Sequence, residues 1–171
     1  VLLQNSVGKE FSVFEKDVSL LEDLGMPRIH GPFLGFAFES YQSNIHIPFK
    51  VLDKKLVVDP KNTFSLADEI ALFFNVTNLR EDLWKEGEVL ISLKGLREKN
   101  PLLKTFAIKL NTLTYNKILS ITYTIPAKEL IPDYYELKLV LENGDGQTVD
   151  EKEATFVLSS EKAISHPIVN A

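Results

Sequence analysis

The sequence predicts an all-β fold, a sandwich or barrel of antiparallel strands. Three observations lead there. Apolar residues recur with period two in one segment after another, clusters of turn residues separate those segments at even spacing, and no helical pattern of about 10–15 residues intervenes to build parallel βαβ units. With 44% hydrophobic and 25% charged residues, the chain has the balance of an ordinary globular domain.

Residues 1–46 are the least regular part and read as an N-terminal extension or a partial upstream module. The chain opens on Val1-Leu2-Leu3-Gln4 without a methionine, which implies that something upstream was removed. Phe11-Ser12-Val13-Phe14 fits a strand or a short amphipathic helix, whereas Leu34-Gly35-Phe36-Ala37-Phe38 alternates large with small and reads as a strand needing cover. Two pentapeptides echo each other, Ile29-His30-Gly31-Pro32-Phe33 and Ile45-His46-Ile47-Pro48-Phe49. They are too short for a structural repeat, and extended entry through an X-Pro step accounts for them better.

From residue 47 to about 160 the strands follow in order. One lies within 49–58, before the Asp59-Pro60-Lys61-Asn62 turn, and residues 63–68 read as a single helical turn. Over 69–77, Ile70, Leu72, Phe74 and Val76 share a face; over 88–95, Val89, Ile91 and Leu93 do. Between these two, Leu79 to Lys85 is a second short helical candidate. Phe106, Ile108 and Leu110 alternate over 104–111, Ile121, Tyr123 and Ile125 over 118–125, Tyr135, Leu137, Leu139 and Leu141 over 134–142, and Ala154, Phe156 and Leu158 over 153–159. That is about seven strands, the count of a small sandwich. Asn143-Gly144-Asp145-Gly146 is a strong hairpin signal, because these residues tolerate positive φ. Residues 161–171 lose periodicity and read as a tail.

The most specific local pattern is Leu130-Ile131-Pro132-Asp133-Tyr134-Tyr135-Glu136-Leu137-Lys138-Leu139, a proline and a turn residue before a tyrosine-led strand that ends in a tight hairpin. It resembles the approach to strand F in immunoglobulin-like and fibronectin-like sandwiches, where a tyrosine hydroxyl ties the corner to nearby backbone. On that resemblance Tyr134 or Tyr135 takes the corner role. The pattern lacks both cysteines of true immunoglobulin domains and their tryptophan on the third strand. Together with Pro48-Phe49-Lys50, Phe64-Ser65 and Leu72-Phe73-Phe74, it is similar to immunoglobulin-like modules of exported bacterial multi-domain proteins. The resemblance implies an immunoglobulin-like antiparallel β-sandwich with an N-terminal extension, in a bacterial, extracytoplasmic, non-catalytic module.

Composition excludes several chemistries. With no cysteine, the chain has no disulfide, thiol nucleophile or cysteine-ligated metal. A formal net charge of −5 disfavours phosphate-backbone binding, so nucleic acid is not an expected partner. No apolar run approaches the roughly 20 residues of a membrane span. His30, His46 and His166 each stand one or two residues before a proline, without helical metal-ligand spacing, and read as turn or surface residues. There is no Gly-x-Ser-x-Gly elbow and no phosphate loop; Ser92 and Ser120 read as outward strand positions. Glu81-Asp82, Glu129, Asp133, Glu142 and Asp150-Glu151 lie mostly in turns, where solvated carboxylates are expected. An EF-hand alignment on Gly146 puts Leu141 and Lys152 where essential carboxylates belong, so that loop is a hairpin. Asn75-Val76-Thr77, a formal glycosylation sequon, falls mid-strand.

No catalytic, cofactor-binding or metal-binding residue is therefore expected. Trp84, within Arg80-Glu81-Asp82-Leu83-Trp84-Lys85-Glu86, is the candidate ligand or partner contact. In a charged inter-strand loop it could anchor a protein partner or stack on a sugar. The alternative, which has the greater weight, is that Trp84 and Leu83 fold back to cap the sandwich. Phe73 and Val140, on the opposite strand faces, read either as contact residues or as a second covered face. The leading expectation is a structural or protein-interaction module, followed by a carbohydrate-binding module and then a hydrolase.

Overall fold

The computed structural model describes residues 2–4, 11–13, 25–42, 47, 49–51, 53–96 and 103–161. In chain order the elements are β1 (Leu2–Gln4), β2 (Phe11–Val13), β3 (Arg28–Gly35), β4 (Ala37–Ser40), β5 (Lys50–Val51), β6 (Lys54–Val57), β7 (Thr63–Ser65), β8 (Glu69–Thr77), α1 (Glu81–Glu86), β9 (Glu88–Gly95), β10 (Leu103–Lys109), β11 (Leu119–Pro126), β12 (Asp133–Glu142) and β13 (Thr148–Ser159). A five-stranded sheet runs β10-β9-β12-β13-β7 and a three-stranded sheet runs β11-β8-β3. A further three-stranded sheet is β4-β6-β5, and β1 pairs with β2.

The first two sheets share one core and form an immunoglobulin-like sandwich. Inward residues of β8 (Ile70, Leu72, Phe74, Val76) and β11 (Ile121, Ile125) meet those of β9 (Val89, Ile91, Leu93), β12 (Leu137, Leu139, Leu141) and β13 (Phe156, Leu158) in a single buried cluster. The assignment rests on strand order and connectivity. β8 and β11 lie in one sheet and β9, β12 and β13 in the other, and the segments before β8 contribute to both. β3 pairs antiparallel with β8, whereas β7 pairs parallel with β13.

The corner into β12 identifies the tyrosine. Tyr135 is almost fully buried, and its hydroxyl donates to the Ile131 carbonyl at 2.8 Å. Its ring stacks on Phe156 with centroids 5.1 Å apart, and Phe156 meets Phe64 edge-on at 5.9 Å. Tyr134 points to the outer face and is 44% exposed. Two residues beyond Tyr135, where antibody domains place the second cysteine, stands the buried Leu137.

Strand β8 is buried on both faces. Ile70 through Phe74 are five consecutive buried residues, the pattern of a strand covered on two sides. The small sheet supplies the second cover: Val51 and Leu56 pack with Ala71 and Phe73, and Phe38 and Val58 close the cluster. Phe33 stacks on Phe73 at 5.8 Å. Of the two readings of Phe73, the covered face is therefore the one observed. Val140 is half-buried on the outer face of β12.

Three local expectations are corrected. Residues 63–65 are strand and not the start of a helical turn, because Asn62 accepts from Val157 and draws this segment alongside β13. A side-chain-bonded turn follows, in which the Ser65 amide donates to Asp68 Oδ2 at 2.7 Å and the Ala67 amide to Ser65 Oγ at 3.2 Å. The single strand expected within 49–58 is the β5–β6 hairpin. β13 also starts earlier than its alternation suggested, since Thr148 to Glu153 are mostly exposed and carry no apolar period. The hairpin before it is as expected: Asn143 Oδ1 accepts from the Asp145 and Gln147 amides, and Gly146 sits at φ +75°. His46, His166 and residues 162–171 lie outside the described residues.

Replacing Tyr135 by Phe removes the corner hydrogen bond while keeping the ring. The expected loss is about 1–2 kcal/mol of unfolding free energy in urea denaturation, against about 0.5 kcal/mol or less for Tyr134→Phe. Equal losses would show that the corner is not held by this hydroxyl.

Candidate functional site

Trp84 lies on α1, which bridges β8 and β9 at one end of the sandwich. The helix is short but well placed. Leu79 and Leu83, four residues apart, are both buried against the core, which fixes one face. Glu81 and Asp82 occupy the first turn and Lys85 the last, each favourable to the helix dipole. Lys85 reaches Glu81 at 2.8 Å, and Asn111 Nδ2 donates to the Lys85 carbonyl at 2.8 Å at the C-terminal end. The chain then leaves through Gly87, where a Cβ would stand 2.5 Å from the Leu83 carbonyl oxygen and 2.8 Å from that of Glu142. Only glycine allows this approach.

The loop 110–117 folds over the helix. Trp84 Nε1 donates to the Leu113 carbonyl at 2.9 Å, and the indole meets the Tyr115 ring with centroids 5.5 Å apart. The Tyr115 hydroxyl donates to the Leu79 carbonyl at 3.3 Å, while the Leu79 amide donates to Lys117 at 3.1 Å. Trp84 is half-buried, and its one polar atom is already bonded. The aromatic ring beside open space is that of Tyr115, 39% exposed. Next to it runs an open groove of about 390 Å³ lined in part by Asn78, Arg80, Glu81 and Lys117. Sequence reasoning misses Tyr115, because Tyr115-Asn116-Lys117 between two strands is only a turn signal.

The other polar residues considered do not converge. His30 Nε2 contacts Thr77 Oγ1 at 3.0 Å across β3 and β8. Ser120 Oγ bonds Asn75 Oδ1 at 2.8 Å, and Ser92 Oγ lies 3.3 Å from Thr105 Oγ1. Asp82 pairs with Arg80 at 3.2 Å, Glu129 with Lys104 at 3.4 Å and Glu151 with Lys138 at 2.8 Å. Asp133 Oδ1 accepts from the Tyr134 amide. Asp150 Oδ2 accepts from the Ile29 amide at 2.7 Å, tying β3 to β13 across the two sheets. Among the described residues no group of three or more histidines or carboxylates is placed to hold a metal ion.

Among the described residues three groups have shifted ionisation. The hydrogen bond to Glu81 raises Lys85, and the one to Glu151 raises Lys138. Both are surface ion pairs, where such shifts report pairing and not activated chemistry. Tyr123 is raised mainly by burial, with a further contribution from the Glu129 charge. Its ring packs against Phe106 at 5.5 Å, between the two sheets on their open side.

Two outcomes are expected. Trp84→Phe keeps the packing on Tyr115 but leaves the Leu113 carbonyl without its donor, at a cost of about 1–2 kcal/mol by chemical denaturation followed with circular dichroism. An unchanged midpoint would remove the capping role. For Tyr123 the folded value lies above the unfolded one. Its contribution is therefore complete below the ordinary tyrosine value of about 10 and is lost as pH rises through the folded value. Stability measured across that range should fall less steeply in Tyr123→Phe, and identical slopes would contradict the shift.

Among the described residues no helix is long and apolar enough to cross a membrane. No family model matches the chain, and no curated protein does. Among solved structures it is similar to an immunoglobulin-like protein from Pseudomonas aeruginosa, at 14% identity over 80% of this chain and 99% of that one, with a TM-score of 0.38.

Proposed function

We propose that the chain is a non-catalytic structural or protein-interaction module of an exported bacterial protein. One observation carries the non-catalytic part: the polar side chains that a hydrolase would draw on are spread over the sandwich and bonded to separate neighbours. Asp150 ties β3 to β13, Glu129 and Glu151 pair with lysines, and Ser92 and Ser120 bond across strands. General acid–base or nucleophilic work needs such groups facing one cleft within hydrogen-bonding reach. Bacterial origin and export rest on the likeness of the Pro48–Phe74 stretch and the Tyr134 strand to exported immunoglobulin-like modules.

Carbohydrate binding is the second reading. It is favoured by the Trp84–Tyr115 pair beside a groove edged with Asn78, Arg80, Glu81 and Lys117, since an aromatic face flanked by hydrogen-bonding groups suits a sugar ring.

Four measurements separate these readings. A panel of ester, peptide, glycoside and phosphoester substrates should show no turnover, and crosslinking in cells should yield a reproducible protein neighbour. Turnover without a neighbour would overturn the module reading, and retention of the tagged parent protein in the cytoplasm would remove its exported character. Glycan titration followed by fluorescence of the single tryptophan should be silent; a saturable change abolished by Tyr115→Ala would establish the carbohydrate reading instead.

A further inference from the structure

We infer that Asn143 is a modification site, losing its amide nitrogen spontaneously at a rate set by opening of the β12–β13 hairpin. The turn itself places the reactive pair there. Asn143 Oδ1 accepts from the Asp145 amide at 3.1 Å and from the Gln147 amide at 2.8 Å. A short side chain ending in a carbonyl or carboxylate is needed to reach both donors from this position. The next residue lies flat on α1: a Cβ on Gly144 would stand 2.8 Å from Glu86 Cβ and 2.9 Å from Glu86 Oε2. Two separate demands of the fold thus set an asparagine before a glycine. Of the chain's asparagines, only Asn143 has that neighbour.

A glycine nitrogen has the least hindered path to the preceding carboxamide carbon. The Gly144 nitrogen bonds to Asn143 Cγ and gives up its proton, the Cγ–Nδ2 bond breaks, and ammonia leaves with that proton. The resulting succinimide takes up water at one of its two carbonyls. Opening at Cγ yields aspartate. Opening at the backbone carbonyl yields isoaspartate, whose main chain runs through the side-chain carbon. Water is the sole co-reactant.

The closed turn withholds this reaction. Besides the two bonds to Oδ1, Asn143 Nδ2 donates to Gln147 Oε1 at 3.4 Å, the Asn143 amide donates to the Gln147 carbonyl at 3.0 Å, and its carbonyl accepts from the Gly146 amide at 3.0 Å. Closing the five-membered ring turns the carboxamide and the Asn143 carbonyl out of these bonds. Residues 144–148 are exposed and stand clear of the core, so the tip can open locally. Isoaspartate then adds an atom to the main chain and takes away the acceptor of the Gly146 amide. The hairpin cannot re-form as it was, and the new carboxylate stays near Glu86, which lines the same surface pocket as Asn143. The tip keeps a covalent record of having opened.

This modification does not depend on the module reading. To test it, the unmodified chain is held at neutral pH, folded and in urea above its unfolding midpoint, and peptide maps follow the mass gain that marks an amide replaced by an acid. Conversion should concentrate at Asn143 in both samples and run about tenfold or more slower in the folded one. Equal rates, or a faster rate when folded, would overturn the gating. Conversion in urea no faster at Asn143 than at Asn62, Asn75, Asn111 or Asn116 would overturn the site. Hydrogen exchange of the Gln147 amide gives the open fraction independently, and the folded rate should match the urea rate multiplied by that fraction. A folded rate well above this product would mean attack inside the closed turn, against the proposal. Gly146→Ala puts a side chain at φ +75° with nothing within 4 Å of its Cβ. It should change exchange and conversion by the same factor, and a change in one without the other would contradict the coupling.

Discussion

The structure is organised around the burial of β8 on both faces. Alternating apolar residues can be satisfied by one covered face, but Ile70-Ala71-Leu72-Phe73-Phe74 cannot. The sandwich core takes Ile70, Leu72 and Phe74. Ala71 and Phe73 face the other way, where an exposed phenylalanine on a central strand would be costly. The chain N-terminal to β8 therefore does two jobs: β3 pairs along its edge, and the β4-β6-β5 sheet covers its outer face. The segment before the sandwich thus serves as cover that the middle strand requires.

The two sheets are joined without a covalent bridge. In place of a disulfide, apolar residues of both sheets meet in one buried cluster, and within the five-stranded sheet a run of aromatic contacts goes from Tyr135 through Phe156 to Phe64, anchored at one end by the Tyr135–Ile131 hydrogen bond. At the opposite end of β13 the Asp150 carboxylate holds the Ile29 amide. Such a carboxylate–amide bond is stronger than a neutral one, and it falls where β3 has left ladder pairing on that side. One polar tie and one aromatic stack, far apart along β13, fix both ends of a strand that touches both sheets.

How much of this was legible in the sequence varied with the physics. Strands with one buried face declared themselves: β8, β9, β11 and β12 lie within a residue of their alternation. The corner motif narrowed the choice to two tyrosines, and burial then chose Tyr135. What alternation could not show was cover on a second face, because the five-residue apolar run of β8 satisfies a period-two reading while exceeding it. β7 was missed since three residues carry no period, and its place is set by long-range pairing with β13. The site was legible as far as Trp84 and the fold-back of Leu83. Its ring partner and acceptor, Tyr115 and Leu113, lie about thirty residues on, and only the tertiary fold brings that loop over the helix.

The parallel course of β7 and β13 has a mechanical consequence. Val157, Leu158 and Ser159 lie beside Thr63, Phe64 and Ser65, with the two strands running the same way. If β7 is drawn one way along the chain and β13 the other, their bonds lie across the direction of pull and must slide together, instead of parting one after another as in a peeled hairpin. Tension passed between these two strands therefore meets the seam as shear.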